Sequence, residues 1–245
     1  MNILVTGANG LLGRYLVELL SNYHKVFAIV KDKEKLNFEL NDNISAIEID
    51  LSLIDTKLFP KNIDIVYYLA QSNRFREFPD GVDDMLSINV VAPNILAKWA
   101  VKSGVKKFIY ASSGGVYTSP NKPVKEFFDI NANEKLGFYL NSKLSAEMLL
   151  KNYASLFETF AIIRPFFMYG VGQNDTMLIP RLISSVQNEK EITLNGENGI
   201  KINPIYVTDA SQAVANILDL SGEYIINIAG DEVVSLRELC IKISQ

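Results

Sequence analysis

The chain has 245 residues, of which 48% are hydrophobic and 21% charged, enough apolar material for one sizeable core. Its formal charge of −4 lacks the Lys/Arg excess that a phosphate-neutralising surface needs, so nucleic acid is excluded as the expected partner. One cysteine, Cys240, and one histidine, His24, supply neither an intrachain disulfide nor a Cys/His zinc site, so a reducing compartment and metal-free chemistry are expected.

The apolar run Ile3 to Val5 is shorter than the core of a signal peptide, and no stretch reaches the length of a membrane span. A cytoplasmic protein with no membrane partner is the expectation. Ile3 to Thr6 reads as a first buried strand. Thr6-Gly7-Ala8-Asn9-Gly10-Leu11-Leu12-Gly13 follows it and opens a helix whose apolar face is Leu12, Tyr15, Leu16, Leu19 and Leu20. In that context Gly7 makes the tight turn, Gly10 lets backbone approach a pyrophosphate, and Gly13 brings helix against strand, while free N–H groups at the helix start face the anion. Gly7, Asn9, Gly10, Leu11, Leu12 and Gly13 are therefore candidate dinucleotide contacts, and the architecture expected is an α/β, doubly wound parallel sheet of the Rossmann type.

The second strand, Val26 to Val30, ends at Lys31 and Asp32. With Val30 in the position where NAD-binding chains commonly carry an acid, Lys31 meets a 2′-phosphate and the cofactor leans to NADP; a two-residue shift puts Asp32 there and restores NAD. Lys31 also reads as a solvated loop charge. Further strands are expected at Ile44 to Ile49, Ile65 to Leu69, Phe108 to Ala111 and Phe160 to Ile163, with a helix through Ile95, Leu96, Trp99 and Val105 that ends near Gly104.

Tyr139 and Lys143 stand four residues apart on one face of a helix running toward Leu156. That spacing is near what chance supplies, so position carries the argument: the pair follows the fifth strand and its Ser112-Ser113-Gly114-Gly115-Val116-Tyr117 exit, where an open α/β sheet presents residues to ligand. An adjacent ammonium and an oxidised nicotinamide would favour the Tyr139 phenolate, letting it exchange a proton with a carbinol as hydride moves, with Ser113 orienting the same oxygen.

Taken in order, the Gly-rich turn, Asp50-Leu51, Leu69-Ala70, Asn89, Ser113 with Val116-Tyr117, Tyr139/Lys143 and Arg164-Pro165 resemble the extended short-chain dehydrogenase/reductases, also called the NAD-dependent epimerase/dehydratase family, over almost the whole chain. The resemblance implies a cofactor path formed by Asp50 and Leu51 at the adenine, by Leu69, Ala70 and Gln71 along ribose and diphosphate, and by Tyr139, Lys143 and Pro165 near the nicotinamide. It implies a nucleotide sugar as small-molecule substrate, and a homodimer formed by the Asn89–Gly104 and Tyr139–Leu156 helices. Asp50 also reads as a helix N-cap, and Leu69 as core.

The organisation expected is a cofactor-binding domain over 1–165 carrying Ser113, Tyr139 and Lys143, and a small substrate lobe over 166–245, interleaved with the sheet and shorter than is common in the family. Ile205 to Asp209 and Tyr224 to Ile228 resemble segments that reach that lobe. Gly114 and Gly115 stand where a 4,6-dehydratase of this kind carries Asp-Glu, which disfavours dehydration. A ketoreductase is tilted to by Lys31, a 4-epimerase needs the same three groups, and a non-enzymatic NADP(H)-binding regulator is the reading from another class. Arg74 and Arg76, beside Phe75 and Phe78, read either as an anion clamp or as a solvated loop.

Overall fold

The computed structural model describes residues 1–117, 123–131 and 135–245. In chain order the first half runs β1 (Asn2–Thr6), α1 (Leu11–Ser21), β2 (Lys25–Val30), β3 (Ile44–Glu48), β4 (Ile65–Tyr68), α2 (Val82–Leu86), α3 (Ala92–Lys102), β5 (Lys107–Ala111), α4 (Phe138–Leu150) and β6 (Thr159–Pro165). The second half adds β7 (Met168–Tyr169), α5 (Leu178–Gln187), β8 (Lys201–Ile202), β9 (Ile205–Tyr206), α6 (Val207–Ala215), β10 (Gly222–Ile228), β11 (Val234–Ser235) and α7 (Leu236–Ser244).

Seven strands form one sheet in the order β10-β6-β5-β4-β1-β2-β3, and every pairing in it is parallel. Such a sheet is covered on both faces, which is why β4 is four buried residues in succession, Ile65 to Tyr68, rather than an alternation. On one face α1 and α6 pack through Leu16, Leu20 and Val214 onto Ile3, Val5 and Ile109. On the other, Leu96 and Ala100 of α3 and Ala146 and Leu150 of α4 pack onto Leu4, Val66 and Phe108. The expected strands and the expected doubly wound α/β class are all present.

Three segments differ from their sequence reading. Tyr224 to Ile228, expected among the lobe's segments, is the edge strand of the main sheet, pairing with β6 along its length from Gly222. The pleat explains this: Ile225 and Ile226 point to opposite faces and pack against the two separate cores. Ile205 to Asp209, the other such segment, divides between the short strand β9 and the start of α6 at Val207. The helix expected through Leu156 is α-helical only to Leu150 and tightens to a 3₁₀ form over Lys151–Leu156. What remains on the substrate side is small: β7 beside β9, β8 antiparallel to β11, and α5 packed near α7. Among the described residues, no helix is long and apolar enough to cross a membrane.

A Cβ on Gly13 would lie 2.1 Å from the Gly7 carbonyl oxygen, so α1 reaches β1 only because that position is glycine. Gly13→Ala is expected to lower the unfolding free energy by about 1–3 kcal/mol through this overlap. Gly10→Ala, with a φ of −71° and its new carbon meeting only that oxygen at 3.1 Å, should cost under about 1 kcal/mol. Urea denaturation of the two variants checks the pair, and equal losses would refute the close-packing account.

Candidate active site

The glycine turn lies at the carboxyl end of β1, against the carboxyl end of β4. Thr6 Oγ1 accepts hydrogen bonds from the backbone N–H groups of Leu69 (3.2 Å) and Ala70 (3.3 Å), drawing the two exits together. Gly7 has φ +67°, and a Cβ there would sit 2.7 Å from the Ala70 nitrogen, so this approach requires glycine twice over. Gly10 precedes α1 without any side-chain cap, leaving the first N–H groups of the helix, from Leu11 on, to an external acceptor. A backbone cradle a Cβ would fill, at an uncapped helix start, fits the diphosphate of a dinucleotide. Leu12 is buried in the core, and Asn9 is engaged elsewhere, donating to the Lys35 carbonyl (2.9 Å) while its own carbonyl accepts from the Asn37 amide (2.7 Å). Asn9 thus ties the turn to the loop after β2.

β2 ends at Val30, and Lys31 is the first residue beyond it. Lys31 Nζ lies 3.1 Å from Asp50 Oδ2, an exposed pair that partly neutralises the lysine. Asp50 has a second task, accepting from both the N–H and the hydroxyl of Ser52 (2.9 and 2.7 Å) as the cap of the 3₁₀ turn Leu51–Leu53, in which Leu51 is buried. Asp32 caps the turn Lys33–Lys35 and pairs with Lys35 at 2.7 Å. Both acids at this edge therefore have local partners.

Ser113 follows β5 directly, and its hydroxyl accepts from the Gly115 N–H (3.1 Å). Tyr139 and Lys143 occupy successive turns of α4. The Tyr139 hydroxyl donates to Gln71 Oε1 at 2.8 Å and feels the Ser113 side chain, so the exits of β4 and β5 and the start of α4 meet around it. Lys143 is 1% exposed and donates to the Ala111 carbonyl at 3.0 Å. Burial pushes the Tyr139 phenol up to about 12, with the Ser113 bond pulling the other way, and burial takes Lys143 down to about 7 against the raising influence of Glu147. The Lys143 ammonium, expected to favour the phenolate, is turned to the Ala111 carbonyl, and desolvation dominates at Tyr139. Pro165 closes β6 in register with Ile228.

Sequence reasoning named Asn89 and Arg164 only as landmarks. Asn89 lies in a π-helical turn, Ser87–Val91, fully buried; its Oδ1 accepts from the Ser72 N–H (2.9 Å) and its Nδ2 donates to Ser142 Oγ (3.0 Å), one residue from Lys143. Arg164 makes a two-pronged ion pair with Glu147, Nε to Oε1 at 3.0 Å and Nη2 to Oε2 at 2.6 Å, and donates to the Tyr117 hydroxyl at 2.7 Å. Glu147 continues the i, i+4 row of Tyr139 and Lys143, and that row was the available signal. Gly114 is buried, and a Cβ on it would meet the Phe166 ring at 2.6 Å, whereas Gly115 is exposed and a Cβ there would meet the end of the Leu140 side chain at 2.9 Å. Arg74 pairs with Glu77 at 2.7 Å, and the Phe75 ring lies 5.4 Å from that of Tyr139. No cluster of metal-ligating side chains occurs among the described residues.

Because Lys143 binds its proton less tightly when folded, folding costs it charge between its folded value of about 7 and its ordinary 10.5. The unfolded chain binds more protons in that window, so this residue's contribution to stability rises with pH from about 7 to 10.5 and is flat below it. Lys143→Met removes the effect: its melting temperature should exceed that of the parent most at pH 7 and converge toward it by pH 10. A gap independent of pH would overturn the assignment of burial as the cause.

The family model described as "NAD dependent epimerase/dehydratase family" matches residues 3–229. A dTDP-D-glucose 4,6-dehydratase of Dictyostelium discoideum is 28% identical over 98% of this chain, which spans only 61% of that protein. A protein of Bacillus subtilis described as an uncharacterised UDP-glucose epimerase is 26% identical over 98% of this chain and 80% of its own length. Among solved structures, UDP-glucuronic acid 4-epimerase from Bacillus cereus, in complex with UDP-glucuronic acid and NAD, superposes with a TM-score of 0.83 at 27% identity, covering 96% of this chain and 79% of that one. The match over nearly the whole sheet, together with the glycine cradle and the Ser113, Tyr139 and Lys143 constellation at its carboxyl edge, makes this chain a member of the NAD-dependent epimerase/dehydratase family.

Proposed function

We propose that the chain is an NAD-using nucleotide-sugar 4-epimerase, in which Tyr139 takes a proton from a sugar hydroxyl and returns it. The observation that carries this reading is the Tyr139 hydroxyl donating to Gln71, under the influence of Ser113, with Lys143 buried on the next turn of α4. Gly7, Gly10, Leu11 and Gly13 would hold the diphosphate by backbone, Asp50, Leu51 and Lys31 would border the adenosine end, and Leu69, Ala70 and Pro165 would line the path between. NAD, when bound, supplies an acceptor and then a donor of hydride. With NAD bound, its positive charge would favour loss of the Tyr139 proton, and the phenolate would take the C4 hydroxyl proton and later return it to the same sugar oxygen, which Ser113 would hold. The residues end in their starting protonation states, so no external reductant enters.

Three rival readings are weakened. The tilt toward an NADPH-dependent ketoreductase rested on Lys31, and that lysine pairs with Asp50; structural relatives are in complex with NAD. Dehydration requires a carboxylate pair after Ser113, and Phe166 and Leu140 fill the space beside Gly114 and Gly115. Retention of Ser113, Tyr139 and Lys143 at the carboxyl edge of the sheet argues against a purely regulatory protein. Residues 166–245 would form the substrate side, interleaved with the sheet through α6 and β10. A homodimer is part of the same proposal, supported by exposed Leu86, Val91, Met148 and Leu149 on the outer faces of the α2–α3 and α4 segments.

Mass spectrometry of denatured, freshly purified protein should find NAD, and UDP- or dTDP-hexoses should be interconverted at C4. Tyr139→Phe is expected to keep NAD and lose about 10²-fold or more in rate. Retained rate in that variant, or absence of NAD(H) and NADP(H) binding, would remove the proposal. Sedimentation should give a dimer that Leu149→Glu converts to monomer; a monomeric parent would remove the dimer alone.

A further inference from the structure

The loop leaving β4 carries two arginines in unequal circumstances. Arg74 Nε lies 2.7 Å from Glu77 Oε2, so its charge is balanced within the loop. Arg76 forms no ion pair among the described residues. Its guanidinium stands 4.9 Å over the Phe75 ring, which in turn lies 5.4 Å from the Tyr139 ring. From there Nη1 reaches across to the substrate side, 3.4 Å from the Thr176 carbonyl and 3.5 Å from its hydroxyl, and Nη2 is 3.5 Å from the Met177 sulfur. These acceptors are neutral and at the long limit of hydrogen bonding, which leaves a permanently charged fork without a matching anion.

The neighbouring carboxylates do not supply one. Glu77 is engaged by Arg74, Asp84 accepts from the Ser72 hydroxyl, and Asp175, next to Thr176 in the chain, makes no ion pair. The same loop places Gln71 on the Tyr139 hydroxyl, and a single ring, Phe75, stands between Arg76 and the Tyr139 ring.

We propose that Arg76 makes the site selective for acidic nucleotide sugars, by a two-pronged bond to the C6 carboxylate of a uronic acid. This rests on the reading above, that C4 of the sugar meets Tyr139. In a pyranose, C5 is bonded to C4 and carries C6, so a sugar held at C4 presents its C6 group beside the tyrosine, on the scale of one ring contact. A carboxylate there fills both prongs of a guanidinium, whereas a hydroxymethyl group offers a single neutral acceptor. The carboxylate would displace the weak contacts to Thr176 and Met177, and the Phe75 ring would hold the guanidinium plane in place as it does so.

The test is calorimetric binding of glucuronic acid and glucose, each as its UDP and its dTDP derivative, to NAD-loaded protein, to Arg76→Met and to Arg74→Met. Methionine keeps an apolar stem over Phe75, and both positions are exposed, so the fold is retained. The acidic sugar should bind the parent and Arg74→Met about 10- to 100-fold more tightly than the neutral one, and Arg76→Met should abolish that preference while binding glucose derivatives as before. Equal binding of both sugars by the parent, or an equal weakening of both in Arg76→Met as a diphosphate contact would give, overturns the inference and leaves the epimerase reading standing. Failure of all four sugars to bind protein that holds NAD overturns both.

Discussion

The buried ion pair between Arg164 and Glu147 sets the position of the helix on which the candidate chemistry depends. Arg164 is 2% and Glu147 1% exposed, so neither charge has water to fall back on. Loss of one partner from such a pair costs about 3–5 kcal/mol, because the other is left buried and uncompensated. The two prongs admit one rotation of α4 about its axis, the rotation that buries Ser142, Lys143, Ala146, Glu147 and Leu150 together. One turn before Glu147, Lys143 then points at the Ala111 carbonyl, and one turn earlier still Tyr139 emerges into the cleft. Tyr117 extends the network, receiving a bond from Arg164 and donating to Asn227 of β10 at 2.9 Å. A helix, the exit of β5 and two strands are thereby locked by one charge pair.

The same dryness governs the two titrating groups. In water a lysine would lower a neighbouring phenol; inside this wall both are pushed toward their neutral forms, Tyr139 up and Lys143 down. A site in that condition holds the tyrosine proton until positive charge is brought near it, which suits a group that must exchange its proton with substrate rather than with solvent. Enclosure also limits the chemistry. Phe166 packs where a side chain on Gly114 would project, and Gly115 likewise carries no carboxylate, so the acid pair that dehydration calls for is absent.

Much of this was legible in the sequence because it is written in local periods. Runs of Ile and Val bounded by turns gave the parallel strands, the glycine spacing gave the cradle, and the four-residue step gave Tyr139 and Lys143 on one face. Glu147 lay on that same step and its partner did not, since Arg164 is 17 residues on in a different element. Gln71, placed on the cofactor path by resemblance, meets the Tyr139 hydroxyl across 68 positions of sequence, a contact no periodicity encodes. The NADP lean failed to find support for a similar reason: whether Lys31 is free depends on Asp50, which arrives from the end of the next strand.

By itself, then, the sequence determined the α/β class, the order of strands and helices, the glycine turn and the helix that carries Tyr139 and Lys143, because each follows from spacing within a few turns of chain. Only the tertiary structure decided that Tyr224 to Ile228 completes the main sheet, that Lys31 and Arg74 are balanced while Arg76 is not, and that burial outweighs charge at Tyr139. Those outcomes depend on which groups meet and how much water lies between them, and neither quantity exists until the chain has closed around its core.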